Sequence, residues 1–250
     1  MRRAFAQECG KSPESSIGLG YSEAFMQDAH VGTWLRGAQV SAEIQASVRD
    51  LNHRFLDLVA GRPGSWSPPG RGLSAAMSAR IAPLSAAQKS AAANCPYALF
   101  DLRFHDDGYW RTRLRAAALG GVAEGAAVDD KTLEFARLAL FFAWHVASTT
   151  RLAAQLLLGM HEVTAAAFRE ATIDCLPFLA GTEAPQLTAR WNDCTAYWSA
   201  LTAAAARQNP ASLRRIQLYG LQLAAAARLC STDPGGGEQR GELRGVPREV

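Results

Sequence analysis

Apolar residues recur at helical spacing along most of the chain, and a few short stretches break that rhythm. Between Ser41 and Ala60, the positions Ile44, Val48, Leu51, Phe55 and Leu58 form one stripe and predict a helix. The same reading predicts helices over 22–36, 74–81, 85–94 and from the turn Asp106-Asp107-Gly108 to Leu119. Further on it predicts Asp130–Ala147, Arg151–Leu158, Thr164–Ala180 with a bend at Pro177, Thr195–Ala206 and Ala211–Leu229. Gly61–Gly70, rich in Pro and Gly, is a loop; Gly120, Gly121 and Gly125 mark a connection, and Gly159 a helix stop. Tyr97–Phe104 and Pro185–Asn192 are short stretches whose state the pattern leaves open.

The middle of the chain also echoes itself at a spacing of 87. Leu51, Phe55, Val59 and Ala60 recur as Leu138, Phe142, Val146 and Ala147, and Gly72 as Gly159. Arg103-Phe104 recurs as Arg190-Trp191, Asp106 as Asp193, and Leu114 as Leu201. Segments 51–118 and 138–205 share 13 identities in 68 pairs, where composition alone gives roughly five. A period of this length predicts one structural unit used twice. The expected fold is all-α, a helical domain with an internal pseudo-two-fold repeat. Its parts are a flexible arm (1–20), a first helical repeat (21–125), a second packed with it as one domain (126–230), and a disordered tail (231–250).

Composition agrees with a helical, globular chain: hydrophobic residues make up 48% and charged residues 20%, with Ala abundant and β-branched residues sparse. Arg outnumbers Lys by 23 to 3, but the formal charge is only +3, which allows a nucleic-acid surface without requiring one. The five cysteines never form a C-x-x-C arrangement, which argues against a zinc knuckle or a disulfide framework and points to a reducing, cytoplasmic setting. The start lacks an apolar run, and the most apolar stretch, Leu133–Met160, is interrupted by Glu134, Arg137, His145 and Arg151. Neither a secretory signal nor a membrane span is expected.

Little in the sequence points to catalysis. His105-Asp106-Asp107 has the residue types of a metal site, but the echo keeps only Asp193 and loses the histidine, so an aspartate capping the following helix is the expected role. His145 falls within an apolar helix as a core or interface residue. No catalytic residue, cofactor or metal is assigned, and the chain is read as a non-enzyme. Nucleic-acid or partner contacts are the remaining candidates. Arg111, Arg113 and Arg115 form a basic run. Ala154, Leu158, Gly159, Met160, Ala165 and Phe168 have helix-turn-helix spacing, with His161 and Arg169 on the second helix.

The run Leu158-Gly159-Met160, Glu162, Ala165, Phe168, Thr172-Ile173, Leu179-Ala180 and Arg190-Trp191 resembles the core of FlhD, the D subunit of the bacterial flagellar master regulator. Gly72-Leu73, Met77, Ile81, Leu84-Ser85, Gln88, Ala93 and Arg103-Phe104 follow the pattern more loosely. The resemblance implies an all-helical, dimer-like architecture and transcriptional regulation with a partner subunit, this chain standing for two fused modules. The functional expectation is a cytoplasmic regulatory or adaptor protein acting through protein contacts. Its partner is a protein, with DNA as a weaker candidate and a homodimer compatible. A helical scaffold or secretion-system accessory protein without DNA binding is the alternative.

Overall fold

The computed structural model describes residues 40–61, 75–121 and 128–231. The expected arm, tail, helix 22–36, the loop Gly61–Gly70 and the connection around Gly125 lie largely or wholly outside the described residues. The described chain is helical apart from two two-residue strands, as the pattern predicts. In order it forms α1 (Ala42–Ala60), α2 (Ala75–Ile81), α3 (Ala86–Ala93), β1 (Phe100–Asp101), α4 (Asp107–Ala118) and α5 (Asp130–Thr149). There follow α6 (Arg151–Ala153), which runs on into a π-helical turn (Ala154–Leu158), α7 (Glu162–Glu170) and α8 (Leu176–Glu183). Strand β2 (Thr188–Ala189), α9 (Thr195–Ala206) and α10 (Pro210–Ser231) complete it.

Side-chain caps set many of these boundaries. Ser41 accepts from the Ile44 N–H, Asp106 from Tyr109 and Asp129 from Thr132, while Ser85 and Gln88 form a reciprocal capping box. Each such cap contributes about 1 kcal/mol. The helix expected over 164–180 is instead two helices. Pro177 does not bend a continuous helix; it sits in the first turn of α8, where its missing N–H deprives no carbonyl of a partner. Gly159, at φ +74°, closes the π turn, so Arg151–Leu158 ends where the sequence places its stop.

The helices pack in a crossed pattern. Helix α1 carries α2 and α3, α5 carries α7 and α8, and α1 and α5 lie against each other. Helix α4, from the first half of the chain, packs on α7 and α8; α9, from the second half, packs on α2 and α3. The chain makes this exchange through β1 and β2, which pair antiparallel as Phe100 with Ala189 and Asp101 with Thr188. Aromatic rings fill the junction: Phe100 lies edge-on to Phe135 at 5.1 Å, and Phe55 is 6.0 Å from Phe100. The buried stripe of α1 is bulky (Ile44, Val48, Leu51, Phe55), whereas α5 buries Ala136, Ala139, Ala143 and Ala147. Small residues on α5 allow a close approach there, and Phe135 of the same helix meets Phe55 at 5.7 Å.

An ungapped spacing of 87 does not describe how the features recur. Across α1 and α5 it would set buried Leu51 and Leu58 against Leu138 and His145, both exposed. One residue turns a helix by about 100°, so a single-residue shift breaks the match at Leu51 and Leu58, although Phe55/Phe142 and Val59/Val146 are buried at both ends. At a spacing of 88, Ser41 matches Asp129 as the helix cap, and Ile44, Val48, Leu51, Phe55, Leu58 and Val59 match Thr132, Ala136, Ala139, Ala143, Val146 and Ala147, all buried. The same spacing relates β1 to β2, the left-handed residue Arg103 to Trp191, and Trp110 to Trp198. Both indoles donate to a backbone carbonyl eight residues earlier, Leu102 and Arg190. Between these regions, Met77, Ser78 and Ile81 match buried Thr164, Ala165 and Phe168 at a spacing of 87.

Asn52 ties α1 to the crossing. Fully buried, it donates to the carbonyls of Ala93 (3.2 Å) and Tyr97 (2.8 Å) and accepts from the Leu99 N–H (2.8 Å). The residue 88 later is Leu140, buried in α5, so a leucine has a precedent in size there. Asn52→Leu leaves the Tyr97 carbonyl and the Leu99 N–H without this partner, and a loss of about 3 kcal/mol in urea-unfolding free energy is expected. A loss below about 1 kcal/mol contradicts this role.

Candidate functional site

The chain segments that leave β1 and enter and leave β2 enclose a cleft of about 510 Å³. From the first come Asp101, Arg103, His105 and Asp106; from the second come Gln186 and Thr188 to Asp193; Leu158, Gly159 and His161 form one side, and Ala224 and Ala227 of α10 another. Arg103 (φ +59°) and Trp191 (φ +53°) sit in left-handed backbone conformation, which turns the chain sharply away from each strand and opens the space between. The volume lies within the range of small-molecule sites, about 300–1,000 Å³.

Most of the charged groups lining the cleft are paired. Asp106 caps α4 and binds Arg103, and its carboxyl is held below the usual range first by the Tyr109 N–H and then by that arginine. His105 lies 3.5 Å from Asp101, not Asp106, and donating a hydrogen bond to this carboxylate raises its pKa. His161 is 3.2 Å from Asp107, a residue of α4 that also accepts from the Thr164 N–H (3.1 Å) and hydroxyl (2.6 Å). Asp107 thereby caps α7, whose own N-cap His161 makes no such bond. The predicted cap at Asp106 is present; its echo Asp193 caps nothing through its side chain, because Cys194 occupies that position.

Arg190 and the exposed Asp193 are the exceptions among the described residues, and Arg190 is the buried one. Its residue exposure is 8%, and burial pushes its pKa down. Nη1 donates to the Leu157 carbonyl at 2.9 Å, and the guanidinium lies 4.7 Å from the Trp191 ring centroid. Among the described residues no carboxylate lies within ion-pair distance. A Cβ on Gly159 would come within 2.6 Å of Nη2, so glycine is required for the guanidinium to lie against that turn. No sealed side-chain nitrogen or oxygen among the described residues lacks a partner; Nε and Nη2, which bind no described residue, are therefore not fully sealed.

The arginines expected to form one basic face do not. Arg111 and Arg115 are exposed on α4, but Arg113 turns inward to bind buried Glu183 at 3.2 Å and lies over the Tyr109 ring. Alternate positions on a helix cannot share a face. His161 and Arg169 are eight residues apart, at opposite ends of α7 and about 12 Å along its axis. Arg169 is exposed beside Glu170, while Glu162 at the other end of α7 binds Arg151. The helix-turn-helix spacing does correspond to a helical hairpin with Ala154, Leu158, Met160, Ala165 and Phe168 buried.

Behind Trp191 lies a second polar group, Tyr97 and Tyr197, whose hydroxyls are 3.1 Å apart, with the Cys95 thiol 4.0 Å from Tyr197. Burial pushes the Cys95 thiol up to about 12 and both phenols above their ordinary values. A thiol so placed stays protonated at neutral pH and is a poor nucleophile. Cys95, Cys175 and Cys194 are free thiols. Among the described residues no group of three or more His, Cys, Asp or Glu side chains is placed to hold a metal, and no helix is long and apolar enough to cross a membrane. Comparison with known protein families, with characterised proteins and with solved structures returned no match.

Glu183 provides a pH test of the α4 contact. Burial raises its pKa, although Tyr109, Arg113 and Thr182 all bind it; Arg113 keeps some contact with water and stays charged. A carboxyl whose folded pKa lies above its unfolded value contributes most below the unfolded value and loses that contribution as pH rises through the folded one. Part of the stability of the wild type is therefore expected to fall from about pH 4.5 upward, and Glu183→Gln to reduce that fall. Urea midpoints at several pH values measure it; identical pH profiles contradict the assignment.

Proposed function

We propose that this protein is a non-enzymatic, cytoplasmic regulatory or adaptor protein that acts through protein contacts. The observation that carries the reading is the outer face of α10, where Leu218 is 60% and Leu221 37% exposed, one helical turn apart. Arg214, Arg215 and Ala225 are exposed on the same helix, while Leu213, Ile216 and Leu223 pack inward. An apolar stripe with basic neighbours suits a partner helix that is apolar and acidic. The groups that resemble catalytic residues are engaged within the fold: Asp106 and Asp107 as caps, His105 and His161 in pairs, Cys95 as a buried thiol.

The recurrence at 87 and 88 residues, together with the crossed helices, supports a duplicated unit. In that reading the chain is a covalent counterpart of an intertwined dimer. The resemblance to FlhD makes transcriptional regulation the form of the proposal, with Arg111, Arg115 and Arg169 as the available cations for nucleic acid. A scaffold without DNA binding is the alternative.

Affinity capture with the full chain tests this. A partner recovered by the wild type and lost with Leu218→Asp/Leu221→Asp, at unchanged helix content by circular dichroism, is expected. Capture that is indifferent to the double substitution contradicts the reading. Retention on DNA that falls with salt and with Arg111, Arg115 and Arg169 changed to Ala would mark the transcriptional form, and no retention would favour the scaffold.

A further inference from the structure

We propose that the cleft between the segments flanking β1 and β2 binds a small molecule bearing a single carboxylate, held by the Nε/Nη2 edge of Arg190. This goes beyond the adaptor reading and does not depend on it.

The geometry selects the ligand in steps. Among the basic groups lining the cleft, Arg103, His105 and His161 each have an aspartate partner, whereas Arg190, the most deeply buried, makes no ion pair with a described residue and feels the Asp101 carboxylate only through space. A buried cation without a counter-ion is costly and gains most from a ligand that supplies the missing charge. Nη1 is already committed to the Leu157 carbonyl. Nε and Nη2, which lie beside the Gly159 turn and make no hydrogen bond to a described residue, carry two parallel N–H donors that match the two oxygens of a planar carboxylate. The guanidinium is fixed before any ligand arrives, by Trp191 on one side and by Gly159, which leaves no room for a Cβ, on another.

The surroundings argue for one negative charge and an apolar body. Asp101, Asp106 and Asp193 line the same cleft and repel a dianion such as phosphate about twice as strongly as a single carboxylate. Leu158, Ala189, Ala224 and Ala227 give the remaining wall an apolar character.

Titration of the full-length protein with acetate, hexanoate and benzoate, followed by protein-detected NMR, tests the assignment, with benzamide and inorganic phosphate as comparisons. Saturable binding of hexanoate or benzoate is expected, at least ten-fold tighter than benzamide or phosphate. Arg190→Gln should weaken it at least ten-fold, and Arg190→Lys, which keeps the charge but loses the paired donors, should also weaken it. If Arg190→Gln does not fold, Ala227→Trp, at an exposed position on the cleft wall, should produce the same loss by filling the space. The proposal is overturned if none of the three carboxylates saturates, if binding survives both Arg190→Gln and Ala227→Trp, or if phosphate binds more tightly. A peptide whose terminal carboxylate binds more tightly than either small acid would overturn the small-molecule assignment.

Discussion

The whole structure depends on the exchange of α4 and α9 between the two halves of the chain. Helix α4 completes the core under α7 and α8, and α9 does the same over α2 and α3, so neither half buries its apolar surface alone. Polar contacts fix each exchanged helix at its ends. Asp107 caps α7 from α4, and Gln88 of α3 donates to the Ala206 carbonyl at the end of α9 at 2.8 Å. A cap supplied by a distant segment satisfies the same free N–H as a local one, but forms only when the two segments meet. Helix formation in α7 is thereby coupled to the docking of α4.

The same exchange creates the cleft. The chain must turn sharply after each two-residue strand to reach the opposite half, and it does so at Arg103 and Trp191 in left-handed conformation. These turns splay the segments apart and leave Arg190, adjacent to one of them, facing the gap. A buried, unpaired guanidinium costs stability that the ring of Trp191 offsets only in part. Its presence at the crossing, rather than on a surface, connects the architecture to the ligand chemistry proposed for it. Helix α10 lies over the same region: Gly220 meets Tyr97 so closely that a Cβ there would stand 1.9 Å from the phenolic oxygen. The wall of the cleft and the exposed apolar stripe are two faces of this one helix.

Much of the helical framework was legible in the sequence because it rests on local rules. The stripe Ile44 to Leu58, the cap Asp106 and the stop at Gly159 each follow from neighbours in the chain. The break at Ala171-Thr172 was not, since no strong breaker marks it and Pro177 drew the expectation elsewhere. Burial in α1 and α5 follows a spacing of 88 more closely than 87, because identities such as Leu51 and Leu138 report composition in apolar helices, whereas burial reports the face. Arg113 and Arg190 show the larger difficulty. Both read as ordinary cations, yet contacts between distant segments place Arg113 against Glu183 and Arg190 against the Leu157 carbonyl. The recurring Arg-aromatic pair was the available signal for Arg190, but its chemistry depended on contacts more than 30 residues away in sequence.

The central claim is that the exchanged helices make the two halves one cooperative unit. Equilibrium urea unfolding, followed by probes placed separately in α4 and α9, tests it most directly through the fluorescence of variants that retain only Trp110 or only Trp198. Both residues are buried where the exchanged helices dock. The account predicts coincident transitions with the same midpoint and slope. Two separated transitions, with one half unfolding while the other stays native, would contradict it.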